Sequence, residues 1–182
     1  MSTLRISANL HAALLAHAEQ TYPHECCGIL LGSLGPSGWQ VESALPAANA
    51  RSSAAHNRYT IAPPELVRAQ REARRLGLDI AGFYHSHPDQ SAQWSSTDLD
   101  QAHWPGCVYL IVAVAQGRAT GMNSYLLSGS SPAGKRFEAV ILELGELAPP
   151  LSGIQTHGSG IQSQTETSGN SLRIPSSASQ GR

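Results

Sequence analysis

The sequence predicts an α+β fold, a β-sheet flanked by helices. Three observations lead there. Short apolar runs bounded by turn residues recur along the first 148 residues. Between them lie a few segments of helical periodicity. After residue 148 the apolar patterning stops.

The elements follow in order. "TLRI" reads as a short strand. Ser7 caps a helix whose apolar positions Leu10, Ala13, Leu14 and Ala18 have helical spacing. "CCGILLG" is a buried strand, "LGPSG" a turn, and "WQVESAL" the returning arm of a hairpin. "IAPPELVRAQREARRLGL" is the clearest helix. Pro63 and Pro64 suit its start, Leu66, Ala69, Ala73 and Leu76 form its stripe, and Gly77 ends it. Arg68, Arg71, Arg74 and Arg75 lie mostly off that stripe, as a solvated face. "DIAGFYHSH" is a strand, followed by a loop to about residue 94 and a short helix at "SSTDLDQA". "CVYLIVAV" is apolar throughout, as a strand covered on both faces must be. "GMNSYLLS" and "RFEAVILEL" are the last two strands.

Residues 1–148 are therefore expected to form one domain. The segment 149–182 is rich in Ser, Gly, Gln and Thr. It has too little apolar surface to offset its chain entropy, so a disordered tail is expected.

The chain has 182 residues and a net charge of -1, from 12 Lys and Arg against 13 Asp and Glu. That balance argues against a nucleic-acid footprint. No apolar run is long enough to cross a membrane, and the N-terminus lacks the pattern of a secretory signal. Three cysteines are too few for a disulfide scaffold, and a cytoplasmic setting is expected.

Chemistry concentrates in "HSHPDQSAQWSSTD". Strand alternation puts His85 and His87 on one face, about 7 Å apart along the chain, with Ser86 on the other. Eleven residues after His87, Asp98 stands in a first helical turn, with Ser95 near its start. Two readings are open. The "S-x-x-D" is a capping arrangement and the histidines end a strand near the surface. Alternatively, His85, His87 and Asp98 share a metal ion with one position left open, the pattern of catalytic zinc. Glu25, before the first buried strand, is either a solvated strand-end residue or a general base; its residue context alone favours solvent.

The combined pattern resembles the JAMM/MPN+ zinc metalloproteases. H-S-H, seven residues and then S-x-x-D fit that signature without a gap, and "YPHECCGILLG" is similar to the family's upstream segment. The resemblance runs over roughly residues 3 to 145 and extends to the short prokaryotic members. It implies a curved mixed sheet flanked by helices, with cytidine-deaminase-like layering. It implies one Zn2+ bound by His85, His87 and Asp98, with Glu25 as general base and Ser95 as oxyanion donor. The implied substrate is a ubiquitin-like or sulfur-carrier protein, cut at its C-terminus. Trp94 stands where many relatives carry proline, which bears on loop stiffness and the substrate groove.

Rival readings come from other classes. Cys26 or Cys27 could serve a thiol hydrolase, although both begin an apolar strand. The same fold could be a non-catalytic binding scaffold, although every ligand position is filled. An amidohydrolase barrel needs about 250 residues, more than this chain has before its tail.

Overall fold

In the computed structural model, residues 3–49, 60–129, 131 and 134–145 are described. The expected tail, residues 149–182, lies outside them. Ten elements follow one another: β1 (Thr3–Ile6), α1 (Ala8–Thr21), β2 (Cys27–Gly35), β3 (Gly38–Ala47), α2 (Pro63–Leu76), β4 (Asp79–Pro88), α3 (Ser96–Gln101), β5 (Val108–Ala115), β6 (Arg118–Ser128) and β7 (Arg136–Leu144).

Local chemistry explains the helix ends. Ser7 accepts the Leu10 N–H at 3.1 Å and so caps α1. Two prolines open α2, and Gly77 ends it at φ 70°, where a side chain would be strained.

The stripes are narrower than their spacing implies. In α1 only Leu14 and Ala18 are buried, and Ala13 faces solvent. In α2 the buried residues are Ala69 and Ala73, while Leu76 is 41% exposed at the last turn. A helix meeting a curved sheet touches it near its middle and lifts away at its end.

The strands form a single mixed sheet in the order β1-β3-β2-β4-β5-β6-β7, and it closes into a barrel. The expected mixed sheet with helices is present, and its closure is a feature the sequence did not announce. β1 runs parallel to both β3 and β7 and joins the two ends. Four residues of β1 supply two ladders, a long-range pairing that leaves no local sequence signal.

Side-chain alternation sorts the core into two layers. Leu4, Ile6, Leu30, Tyr84, Leu110 and Val112 pack with α1. Ile29, Leu31, Phe83, Tyr109 and Ile111 pack with α2 and the α3 region. On β4 the two sets interleave, so Phe83, His85 and His87 share the second face. β4 and β5 are parallel, and the crossover between them contains α3. No helix among the described residues is long and apolar enough to cross a membrane.

Candidate metal centre

β4 delivers both histidines. It lies between β2 and β5, and His85 pairs across to Cys27 on one side and Ile111 on the other. Both imidazoles are buried, at 1% and 5% exposure. Their Nε2 atoms face each other at 3.0 Å.

His87 Nδ1 lies 2.9 Å from the Ser91 carbonyl, which can only accept. The proton must sit on Nδ1, so the lone pair of the neutral ring is on Nε2 and points at His85. The Ser91 loop is itself held. The Ala92 carbonyl accepts from the Asn123 amide at 3.2 Å and the Tyr125 hydroxyl at 3.0 Å, both on β6.

α3 delivers the carboxylate. Asp98 Oδ1 lies 3.3 Å from His85 Nε2, and Oδ2 lies 3.4 Å from His87 Nε2. One ligand atom from each of His85, His87 and Asp98 falls within 4.8 Å of the others, a group that could hold a metal ion. Two neutral imidazoles and one carboxylate suit a borderline-soft divalent ion and leave a tetrahedral position open. The donor set fits zinc.

The capping arrangement is present, and it uses the same aspartate that could hold a metal. Ser95 Oγ accepts the Asp98 N–H at 3.1 Å, and Asp98 Oδ2 accepts the Ser95 N–H at 2.6 Å. The Ser95 hydroxyl donates to the same Oδ2 at 2.7 Å. Ser95 is exposed at the start of α3.

Electrostatics separate the groups. Burial pushes the His85 pKa below its ordinary value, against the pull of Asp98. Burial also opposes charge on His87, yet hydrogen bonds to Asp98 and the Ser91 carbonyl, with the charge of Asp98, outweigh it and raise the pKa. Burial disfavours the Asp98 carboxylate, but both histidines and the Ser95 backbone hold it well below the usual range.

Glu25 departs most from its residue context. It is 4% exposed, not solvated. Burial lifts its pKa to about 8, with His87 lowering it and Asp98 raising it. An acid at the mouth of β2, close enough to feel both groups, is part of this cluster.

Ser86 contributes in a way its alternation only hinted at. It points away from the histidines and is fully buried, and its Oγ accepts the Cys26 N–H at 2.8 Å. The cysteines themselves are poor nucleophiles. Burial pushes Cys26 up to about 11 and Cys27 up to about 12.

A cavity of about 300 Å³ is lined by Ile61, Leu66, Phe83, Gln101, Trp104 and Tyr109 among others, and by none of His85, His87, Asp98 or Glu25. Phe83 is one same-face step before His85 on β4, and Gln101 is one turn after Asp98 on α3. The two elements that deliver the donors therefore also wall the cavity. Its residues come from four separate segments, so no single motif announces it.

The family of prokaryotic homologs of the JAB domain matches residues 7–128. The chain belongs to that family. The stretch of this JAB domain that matches begins at the Ser7 cap and ends with β6, so it includes every residue of the cluster. A desampylase from Haloferax volcanii is 37% identical over 125 residues, 65% of this chain and 86% of that protein. A CysO-cysteine peptidase from Mycobacterium bovis is 32% identical over 123 residues, 67% of this chain and 81% of that protein. A solution structure of a Desulfitobacterium hafniense protein superposes with a TM-score of 0.65 at 28% identity, covering 79% of this chain and 94% of the other. The resemblance drawn from "HSHPDQSAQWSSTD" is thus to the right family.

Proposed function

We propose that this JAMM-type hydrolase uses a single zinc ion to cut an amide or isopeptide bond at the C-terminus of a ubiquitin-like or sulfur-carrier protein. One observation carries the reading: ligand atoms of His85, His87 and Asp98 converge, and the buried Glu25 directly precedes Cys26, which is bonded to Ser86 between the two histidines. The names of the two relatives, a desampylase and a CysO-cysteine peptidase, support the substrate class.

His85, His87 and Asp98 would hold zinc, which supplies a Lewis acid for the scissile carbonyl and makes water acidic enough to attack at neutral pH. Glu25 takes the proton of the attacking water and hands it to the leaving amine. Its buried surroundings favour the protonated acid, while positive charge at the donor cluster favours the carboxylate. Glu25 therefore sits between its two states, as a group that both accepts and donates must. Ser95 would turn its hydroxyl, which donates to Asp98 Oδ2, toward the oxygen that gains charge.

The cavity walled by β4 and α3 would receive the substrate tail. At about 3.3 Å per residue, the third residue back lies about 10 Å from the cut bond, where an apolar side chain would enter the space between Phe83, Leu66 and Tyr109. A reducing cytoplasm belongs to the same reading, since all three cysteines are free.

The test is hydrolysis of a sulfur-carrier protein ending in Gly-Gly and joined through an amide to cysteine or to a lysine peptide. Mass spectrometry should find the free carrier, and a chelator should abolish its release until zinc is restored. A purified protein that holds no zinc, or release that ignores the chelator, overturns the reading.

A further inference from the structure

α3 is too short to hold itself. Six residues fall well under the roughly 12–15 at which an isolated helix becomes marginally stable. It nevertheless carries Asp98, and its N-cap is Ser95. Their placement against the two histidines depends on whatever fixes this single turn and a half.

At its front the helix has the capping box, which draws on the same Asp98 carboxylate that faces His85 and His87. That leaves the back. Here the Lys135 ammonium donates to the Asp100 carbonyl and to the Ala102 carbonyl, each at 3.0 Å. These belong to the last carbonyls of the helix, which have no acceptor role inside it. A cation at that end also complements the helix dipole, and bonds from a charged donor are stronger than neutral ones.

Lys135 arrives from over thirty residues away, immediately before β7. Two residues on, Phe137 is buried at 9% exposure and packs on Trp94 with ring centroids 5.8 Å apart. Trp94 directly precedes Ser95. The start of β7 thus grips the α3 segment at both ends, by an aromatic contact ahead of the N-cap and by an ammonium behind the last turn. Phe137 is in turn fixed by Tyr109 and Tyr125, at 5.0 and 5.9 Å.

We infer that Lys135 is a positioning residue for the metal centre: by binding the C-terminal carbonyls of α3 it sets where Asp98 and Ser95 stand relative to His85 and His87. The inference rests on the proposed function for its consequence, but its structural half is independent of any metal. Lys135 touches no reacting atom.

Two measurements on the full chain test it, using Lys135→Met and Lys135→Arg. The first is hydrogen exchange without metal. Lys135→Met should speed exchange of the Leu99 and Ala102 amides at least several-fold, leave β4 and β5 unchanged, and be largely rescued by Lys135→Arg. The second is titration with Co2+ as a coloured stand-in for zinc. Lys135→Met should bind about tenfold more weakly with an altered visible spectrum, the scale seen for outer supports of metal ligands. The sign discriminates, because removing a nearby positive charge would by itself tighten cation binding. Unchanged exchange in α3 overturns the inference, and so does Co2+ binding that is equal or tighter with an unchanged spectrum. If the wild-type chain binds neither metal, the proposed function fails while the exchange experiment still decides the role of Lys135.

Discussion

The Ser86 side chain accepts the backbone N–H of Cys26 at 2.8 Å, and the Ser86 N–H returns a bond to the Cys26 carbonyl at 3.1 Å. The residue between the two histidines is thereby fastened to the residue after Glu25. This pair of bonds extends the β2–β4 ladder and helps to fix the spacing of acid and imidazoles. Ser86→Ala leaves the Cys26 N–H without its acceptor, at a cost of about 1–3 kcal/mol. Urea unfolding should show the loss, and catalytic turnover should fall with it. Unaltered stability would mean another group satisfies that N–H.

Asp98→Ala removes a proposed metal donor and a helix cap together. Zinc content by elemental analysis should fall from near stoichiometric to background. Stability without metal should drop by about 1 kcal/mol from the lost cap. Full zinc occupancy in the variant would remove Asp98 from the donor set.

Glu25→Gln should keep its zinc and lose about 10²–10⁴-fold in turnover, the usual worth of a positioned acid–base group. The same variant carries a pH signature without metal. Burial, with Asp98 adding to it and His87 opposing it, holds Glu25 at about 8 against 4.5 for a free side chain. Below 4.5 both folded and unfolded chains are protonated, and this contribution is fully present. As pH climbs from there toward 8 the unfolded chain releases its proton and the folded one retains it, so stability falls. Glutamine has no proton to lose. In chelator, Glu25→Gln should gain on wild type as pH rises from 5 to 8, by roughly 2–4 kcal/mol. Urea midpoints at both pH values measure the gap, and a gap independent of pH would place Glu25 in a more solvated setting.

Thr60→Trp should obstruct the cavity beside Phe83 and Leu66. The expected result is a several-fold rise in KM for a carrier-protein conjugate with kcat little changed, since the variant leaves the donor cluster intact. Steady-state kinetics separate the two. A fall in kcat at constant KM would mean the cavity lies off the substrate path.

Cys26→Ala should retain most of the activity. A thiol held near 11 has almost no thiolate at neutral pH. Loss of turnover with the fold and zinc content preserved would revive the thiol reading.

Most of the fold was legible because its signals are local. Ser7, the Pro63–Pro64 pair and Gly77 mark helix ends by chemistry confined to a turn, and the buried strands β2 and β5 stood out as apolar runs. Ala13 and Leu76 misled because periodicity gives the direction of a face but not how far a curved partner extends. The pairing of the histidines was legible for a related reason: strand alternation alone puts His85 and His87 together. The burial of Glu25 was not legible, since it depends on what β4 and α3 bring over it. Lys135 was equally hidden. A lone lysine in a polar stretch looks solvated until α3 is folded against it.

The four-residue strand at the start of the chain is the stave that completes the barrel. Removing residues 3–6 would unzip two ladders at once, baring Gly38–Val41 on one side and Ile141–Leu144 on the other. Those lips are hydrogen-bond-hungry and partly greasy, the kind of seam along which separate molecules stick. Trimming that terminus, or fusing a partner tightly against it, would thus endanger solubility long before it disturbed the histidines.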